Sequence, residues 1–183
     1  KKEKAHTLIH TAMPTSPLKD ISYAHELVAI GTYYIFNACH AAGVKKVVMS
    51  TTTDVYGAFP TNPNYLTEDM PLKGYLQDRI LKDRIDAEKQ AHRFQKKNPD
   101  AIVSVMRHST ILGPGIDTFK TRLLRRPMVL TMLGFDPLIQ FVHVDDVMTA
   151  FCKLLDEDHP GVFNVAGDGV LPLSRIIDLM GAK

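Results

Sequence analysis

Along the chain, short unbroken apolar runs alternate with longer segments whose apolar positions recur every three to four residues. The runs HTLIHTA (6–12), VKKVVMS (Val44–Ser50), AIVSVMR (Ala101–Arg107), FVHV (Phe141–Val144) and VFNVA (Val162–Ala166) are bounded by turn-forming residues, and their length and composition predict buried strands. The breakers MPTSP close the first run. Helical spacing predicts a helix over Asp20–Ala42, with Asp20 or Ser22 as its cap and Gly43 as its stop. A second runs over Leu76–Lys97 on Ile80, Leu81, Ile85, Ala87 and Phe94, and Asn98-Pro99 ends it. Further helices are predicted from an Asp145 cap to Leu155 and over Leu173–Met180 with a cap near Ser174. Phe119–Leu133 is apolar and basic, and Pro127 breaks whatever helix starts there.

Strand–helix–strand alternation predicts an α/β fold with a doubly wound parallel sheet covered by helices on both faces. Strands buried on both sides should be continuously apolar rather than alternating, as VVMS and IVSVM are. In such sheets ligands bind beyond the carboxyl ends of the strands, so the loops after Ala12, Ser50, Arg107 and Val144 carry the interest. The second is the richest: Ser50-Thr51-Thr52-Thr53 places four hydroxyls at one strand end. Such hydroxyls either cap a turn or hydrogen-bond a substrate oxygen, and spacing alone leaves both open.

Composition narrows the function classes. With 183 residues, 45% hydrophobic and 23% charged, the chain suits one domain, or one and a small lobe. The net charge of +2 comes from scattered basic residues, which argues against nucleic acid or an anionic membrane as partner. No apolar stretch approaches the ~20 residues of a membrane span. Cys39 and Cys152 sit in apolar helical contexts and are predicted to be buried free thiols of a cytoplasmic protein, with no metal site. His6, His10 and His143 are expected to be structural.

The ordered set HTLIHTA, VAIGTYYIFNACHAAGVKKVV, MSTTTDVYG, LTEDMP, VMRHSTILGPG, FVHVDDV and GVFNVAGDG resembles the extended short-chain dehydrogenase/reductase family, the NAD-dependent epimerase/dehydratases. The resemblance covers nearly the whole chain and implies a Rossmann-type domain with a small C-terminal substrate lobe. It apportions residues 1–112 to the first, 113–140 and 162–183 to the lobe, and 141–161 to a strand and helix returning to the main domain. It implies NAD or NADP as cofactor, a substrate such as a sugar nucleotide, and a homodimer through Asp20–Ala42 and Leu76–Lys97. The family's glycine-rich cofactor loop does not occur in this sequence. About 60 residues, at about 30 per βαβ unit, would precede HTLIHTA. The fold is therefore expected to be N-terminally incomplete, a piece of something longer that lacks most cofactor contacts on its own.

Counting back from VYG, the resemblance assigns the family's catalytic Ser or Thr to Thr52. The family's Tyr and Lys, four residues apart on one helix, meet this sequence in two registers. One uses Tyr75 with Arg79. The other, preferred because LKDRIDAE matches the family's run, aligns Ile80, Arg84 and Glu88. Ile80 then stands for the tyrosine and Arg84 for the lysine, while Val28 replaces an asparagine of the proton relay. Isoleucine exchanges no proton, and arginine differs from lysine in charge distribution and geometry. The expected site is thus Thr52, Arg84 and, in the other register, Tyr75. Ala12, Met13, Arg84 and Arg107 are assigned to the cofactor, and Thr53, Tyr56 and Arg122 to the substrate, with Arg125 and Arg126 near Arg122. Arg107 can equally end its strand in an ion pair. Three functions follow: an NAD(P)-binding relative with its catalytic pair replaced, a working epimerase, dehydratase or reductase using Thr52 and Tyr75, or a non-catalytic binding protein on the same fold.

Overall fold

The computed structural model describes residues 4–14, 16, 18–131 and 133–181. Thr15 and Pro17 of the predicted breaker stretch, and Met132 within the Phe119–Leu133 segment, lie outside them. In chain order the structure forms β1 (Thr7–His10), a helical rod composed of α1 (Ile21–His25), a π-helical turn (Glu26–Ile30) and α2 (Gly31–Ala42), then β2 (Lys46–Thr52). After a 3₁₀ turn at Gly74–Leu76 come α3 (Arg79–Lys97), β3 (Ile102–His108), β4 (Thr110–Leu112) and α4 (Phe119–Leu124). The chain ends in β5 (Leu138–Ile139), β6 (Phe141–His143), α5 (Val144–Asp156), β7 (Gly161–Val165), β8 (Leu171–Pro172) and α6 (Leu173–Met180).

The main sheet has the order β1-β2-β3-β7, every pair parallel. Successive residues of a strand face opposite sides. Val47 and Met49 of β2, with Val103 and Val105 of β3, therefore pack under Phe36, Ala87, Ala91 and Phe94 of α2 and α3. Val48 and Met106 meet Val147 and Leu154 of α5 on the other face. Burial on both faces is why these strands are continuously apolar. β7 contradicts one expected boundary: residues 162–165, assigned to the small lobe, pair with β3 and complete the main sheet. Outside it, β4 pairs with β6 in parallel, and β5 pairs with β8 antiparallel.

Local chemistry sets the helix ends. Asp20 caps α1 by accepting from the Ser22 and Tyr23 amides at 2.9 and 3.0 Å. Gly43 closes α2 at φ 71°, a left-handed turn that glycine adopts without strain. The second predicted helix starts later than its apolar spacing suggests, because Gly74–Leu76 turns separately and Asp78 caps α3 through the Ile80 amide. That turn packs closely: a Cβ on Gly74 would lie 2.9 Å from the Asp54 and Val55 carbonyl oxygens. His143, not Asp145, caps α5, through the Asp145 amide at 3.3 Å. Ser174 lies inside α6, where its hydroxyl donates to Asp136 at 2.6 Å. Cys39 is buried and burial pushes its thiol pKa up, whereas Cys152 is exposed, on the outward side of α5.

One buried polar network ties α3 to the sheet. Arg107 of β3 donates through Nε and Nη2 to Glu88 of α3, the shortest contact being 2.7 Å, and through Nη1 to the Tyr56 hydroxyl at 2.8 Å. Tyr56 donates in turn to Asn164 of β7 at 2.8 Å, and Asn164 donates to the Leu66 carbonyl. Glu88 and Arg107 are 1% and 3% exposed, so removing one partner leaves a buried charge uncompensated. Glu88→Ala should therefore cost about 3–5 kcal/mol of unfolding free energy. Urea denaturation measures it, and a loss under about 1 kcal/mol would mean the pair does not hold α3.

Candidate functional site

The stripe Ile80, Arg84 and Glu88 recurs every four residues and so lies along one face of α3. That face looks at the carboxyl ends of the sheet. Glu88 sits deepest, in the ion pair just described, and the stripe's upper members open onto a cavity of about 490 Å³. Thr52 and Thr53 at the end of β2, His108 and Ser109 at the end of β3, and Met13 and Pro14 beyond β1 also line it. The sheet register brings the two strand ends together, since Thr52 and His108 are direct partners across β2 and β3.

Arg84 is the cavity's fixed cation. Its Nη1 donates to Thr52 Oγ1 at 3.0 Å and its Nη2 to the Pro14 carbonyl at 2.7 Å. Its Nε is buried without a protein partner. Burial pulls the guanidinium pKa down and Asp54 and Asp78 oppose that shift, but arginine titrates so high that it stays charged. Thr52 accepts from Arg84, which leaves the threonine O–H free to donate outward.

His108 stands beside this pair. Its Nδ1 lies 2.9 Å from the Ser109 carbonyl. A carbonyl only accepts, so Nδ1 carries the proton and Nε2 keeps a lone pair. Burial holds the His108 pKa below its ordinary value, with Arg84 and Lys120 adding to the effect and Asp54 and the Ser109 hydrogen bond working against it. The Ser109 hydroxyl is buried without a partner. Lys120 and Asp54 pair at 2.7 Å and line the same cavity.

The sequence-predicted residues divide. Thr52, Thr53, Arg84, Ile80 and Met13 line the cavity, and Ala12 does not. Tyr75 is half-exposed in the 3₁₀ turn before α3 and borders a separate surface depression with His25, Asp83 and Asp86. Tyr75 lies ahead of α3, which begins only at Arg79, and it is not among the residues lining the cavity of Thr52. Tyr56 and Arg107, expected at substrate and cofactor, point inward into the ion-pair network and do not line the cavity. Arg122 is outside it too, bonded to Asp117 and Ser16 at the surface. Val28 belongs to the π-helical turn and is buried in the core. His10 pairs with Thr32 at 2.8 Å within the core, in keeping with a structural role. Sequence reasoning misses His108 and Ser109; the usable signal is their place at the end of β3, where the loop after Arg107 carries interest.

Among the described residues there is no cluster of three or more metal-binding side chains, and no helix long and apolar enough to cross a membrane.

Residues 1–166 match the model of the NAD dependent epimerase/dehydratase family. An uncharacterized protein of Mycobacterium tuberculosis strain H37Rv is 33% identical over 178 residues, covering 96% of this chain and 47% of that protein. The chain thus spans about half the length of the curated relatives it matches. Among solved structures, the NAD-dependent NDP-hexosamine 5,6-dehydratase TunA superposes with a TM-score of 0.80 at 21% identity, covering 96% of this chain and 60% of TunA. MoeE5 in complex with UDP-glucuronic acid and NAD superposes with a TM-score of 0.74 at 25% identity, covering 96% of this chain and 61% of MoeE5.

His10, buried in the core, and His108, half-buried at the cavity, make stability depend on pH. Burial lowers the folded-state pKa of both His10 and His108 from 6.5, so in mild acid the unfolded chain binds more protons. Their contribution is complete above the unfolded pKa and is lost as pH falls through the folded values. Urea midpoints should therefore fall on acidification below 6.5, and His10→Gln should flatten that slope. An identical slope in the variant would remove His10 from the account.

Proposed function

This chain belongs to the NAD dependent epimerase/dehydratase family, and from that premise we propose that the whole protein binds NAD(P) and a sugar nucleotide but does not run the family's tyrosine-based oxidation step. The observation that carries this reading is the environment of Arg84. In the cavity, the position four residues before this cation is occupied by Ile80, which has no proton to exchange. The guanidinium is itself held by Thr52 and Pro14. An arginine in this setting orients hydroxyls and stabilises negative charge, but it does not tune a phenol it does not face.

Met13 and Pro14 supply a wall beyond β1, but no described strand runs through a glycine-rich loop into a helix, the turn that receives a pyrophosphate. What the described residues do provide is a shaped, partly apolar cavity. Ile80, Leu81, Ile111 and Phe119 supply apolar walls, while Thr52, Arg84 and His108 present polar atoms. That combination favours a ligand with a flat or apolar face and several hydroxyls, as a sugar ring has.

The alternative of a working enzyme using Thr52 and Tyr75 would need the Tyr75 hydroxyl in this cavity, and it lines a different depression. The test uses the protein as its host makes it. NAD(P) and UDP-glucose should bind by calorimetry, nicotinamide absorbance should show no reduction above background, and Tyr75→Phe should change none of this. Cofactor reduction abolished by Tyr75→Phe would overturn the reading, and failure to bind NAD(P) would leave the non-catalytic binding protein as the better description.

A further inference from the structure

The cavity offers a matched donor and acceptor at neighbouring strand ends. Thr52 and His108 are direct partners across two parallel strands, and such strands lie about 4.8 Å apart. Thr52 Oγ1 already accepts from Arg84, so its proton is free to donate. His108 Nδ1 is committed to the Ser109 carbonyl, so Nε2 is free to accept. A ligand hydroxyl is the group that both accepts from one neighbour and donates to the other. Beside them the Ser109 hydroxyl, on a residue 4% exposed, is buried with no partner. A buried hydroxyl without a protein partner is one that a ligand group or an ordered water satisfies.

We propose that Thr52 and His108 form a hydroxyl-binding pair, with His108 Nε2 accepting from a sugar hydroxyl that Thr52 holds on its other side. This deepens the sugar-nucleotide reading above and rests on it for the ligand class. His108 is the one histidine among the described lining residues, in a site where Ile80 offers no polar atom. The charged groups facing it are Arg84 of α3, Lys120 of α4 and Asp54 after β2. Burial favours the neutral ring that an acceptor needs, and the two cations among the three add to that effect. Protonation of His108 would turn Nε2 into a donor, set a third positive charge beside Arg84 and Lys120, and expel the ligand hydroxyl. Ligand affinity should therefore fall with acidification, by roughly tenfold per pH unit below the His108 midpoint.

The test combines imidazole ¹⁵N NMR with calorimetry of UDP-glucose on the intact protein. The expected result is an Nδ1–H tautomer for His108, a titration midpoint below 6.5, and a further downward shift of that midpoint at saturating UDP-glucose. His108→Gln, which keeps polarity but does not titrate, should bind UDP-glucose with no pH dependence below neutrality. An Nε2–H tautomer, a midpoint at or above 6.5, or a midpoint that ignores bound UDP-glucose would overturn the proposal. If calorimetry detects no UDP-glucose binding, the sugar-nucleotide reading fails. Methyl α-D-glucopyranoside at high concentration then decides for the pair: perturbed His108 ring nitrogens support it, and unperturbed ones overturn it.

Discussion

The geometry of the site depends on where α3 sits against the sheet, and a buried charge pair sets that position. Glu88 and Arg107 have almost no access to water, so neither can leave the other without a large desolvation cost. Arg107 sits one residue before His108 on β3, and Glu88 lies one helical turn beyond Arg84 on α3. Fixing that pair therefore fixes, one step further along each element, which side chains face each other across the cavity. Tyr56 and Asn164 extend the same network to the loop after β2 and to β7. That network ties the cavity floor together, and the apolar core beneath α2 and α3 completes the support.

Above this floor the polar groups are arranged as a chain of commitments. Arg84 donates to Thr52 and to the Pro14 carbonyl, Thr52 keeps its own O–H to donate, and the Ser109 carbonyl accepts from His108 Nδ1–H. Each bond settles the remaining capacity of the next group, so the cavity presents a defined pattern of donors and acceptors. In the register we propose for the family's proton path, its positions fall on Ile80, which lines the cavity, and Val28, which is wholly buried in the core. Val28 packs in the core, and neither side chain carries an exchangeable proton.

Much of the architecture was legible in sequence because burial on two faces leaves an unmistakable apolar run. Lys46–Thr52 and Ile102–His108 coincide closely with VKKVVMS and AIVSVMR. The capping role of Asp20 and the stop at Gly43 follow from local backbone chemistry, which sequence displays directly. What sequence hid was non-local. Gly161–Val165 could not be placed in the main sheet without knowing strand order. The first turn of α3 was lost to a separate 3₁₀ turn that packs Gly74 against the Asp54 and Val55 carbonyls, a contact set by tertiary structure. Tyr56 and Arg107 carry side chains typical of binding sites, yet their bonds to Asn164 and Glu88 turn them into the interior. His108 became visible as a site residue only when strand register set it opposite Thr52.

The central claim is that ligand chemistry belongs to the cavity bounded by Thr52, Ile80, Arg84 and His108, and not to the surface around Tyr75. A crystal structure of the protein with UDP-glucose bound tests this most directly. The account predicts the sugar ring inside the cavity, with a hydroxyl between Thr52 Oγ1 and His108 Nε2 and Arg84 still bonded to Thr52. A sugar ring packed against Tyr75, with the cavity empty of ligand, would contradict it.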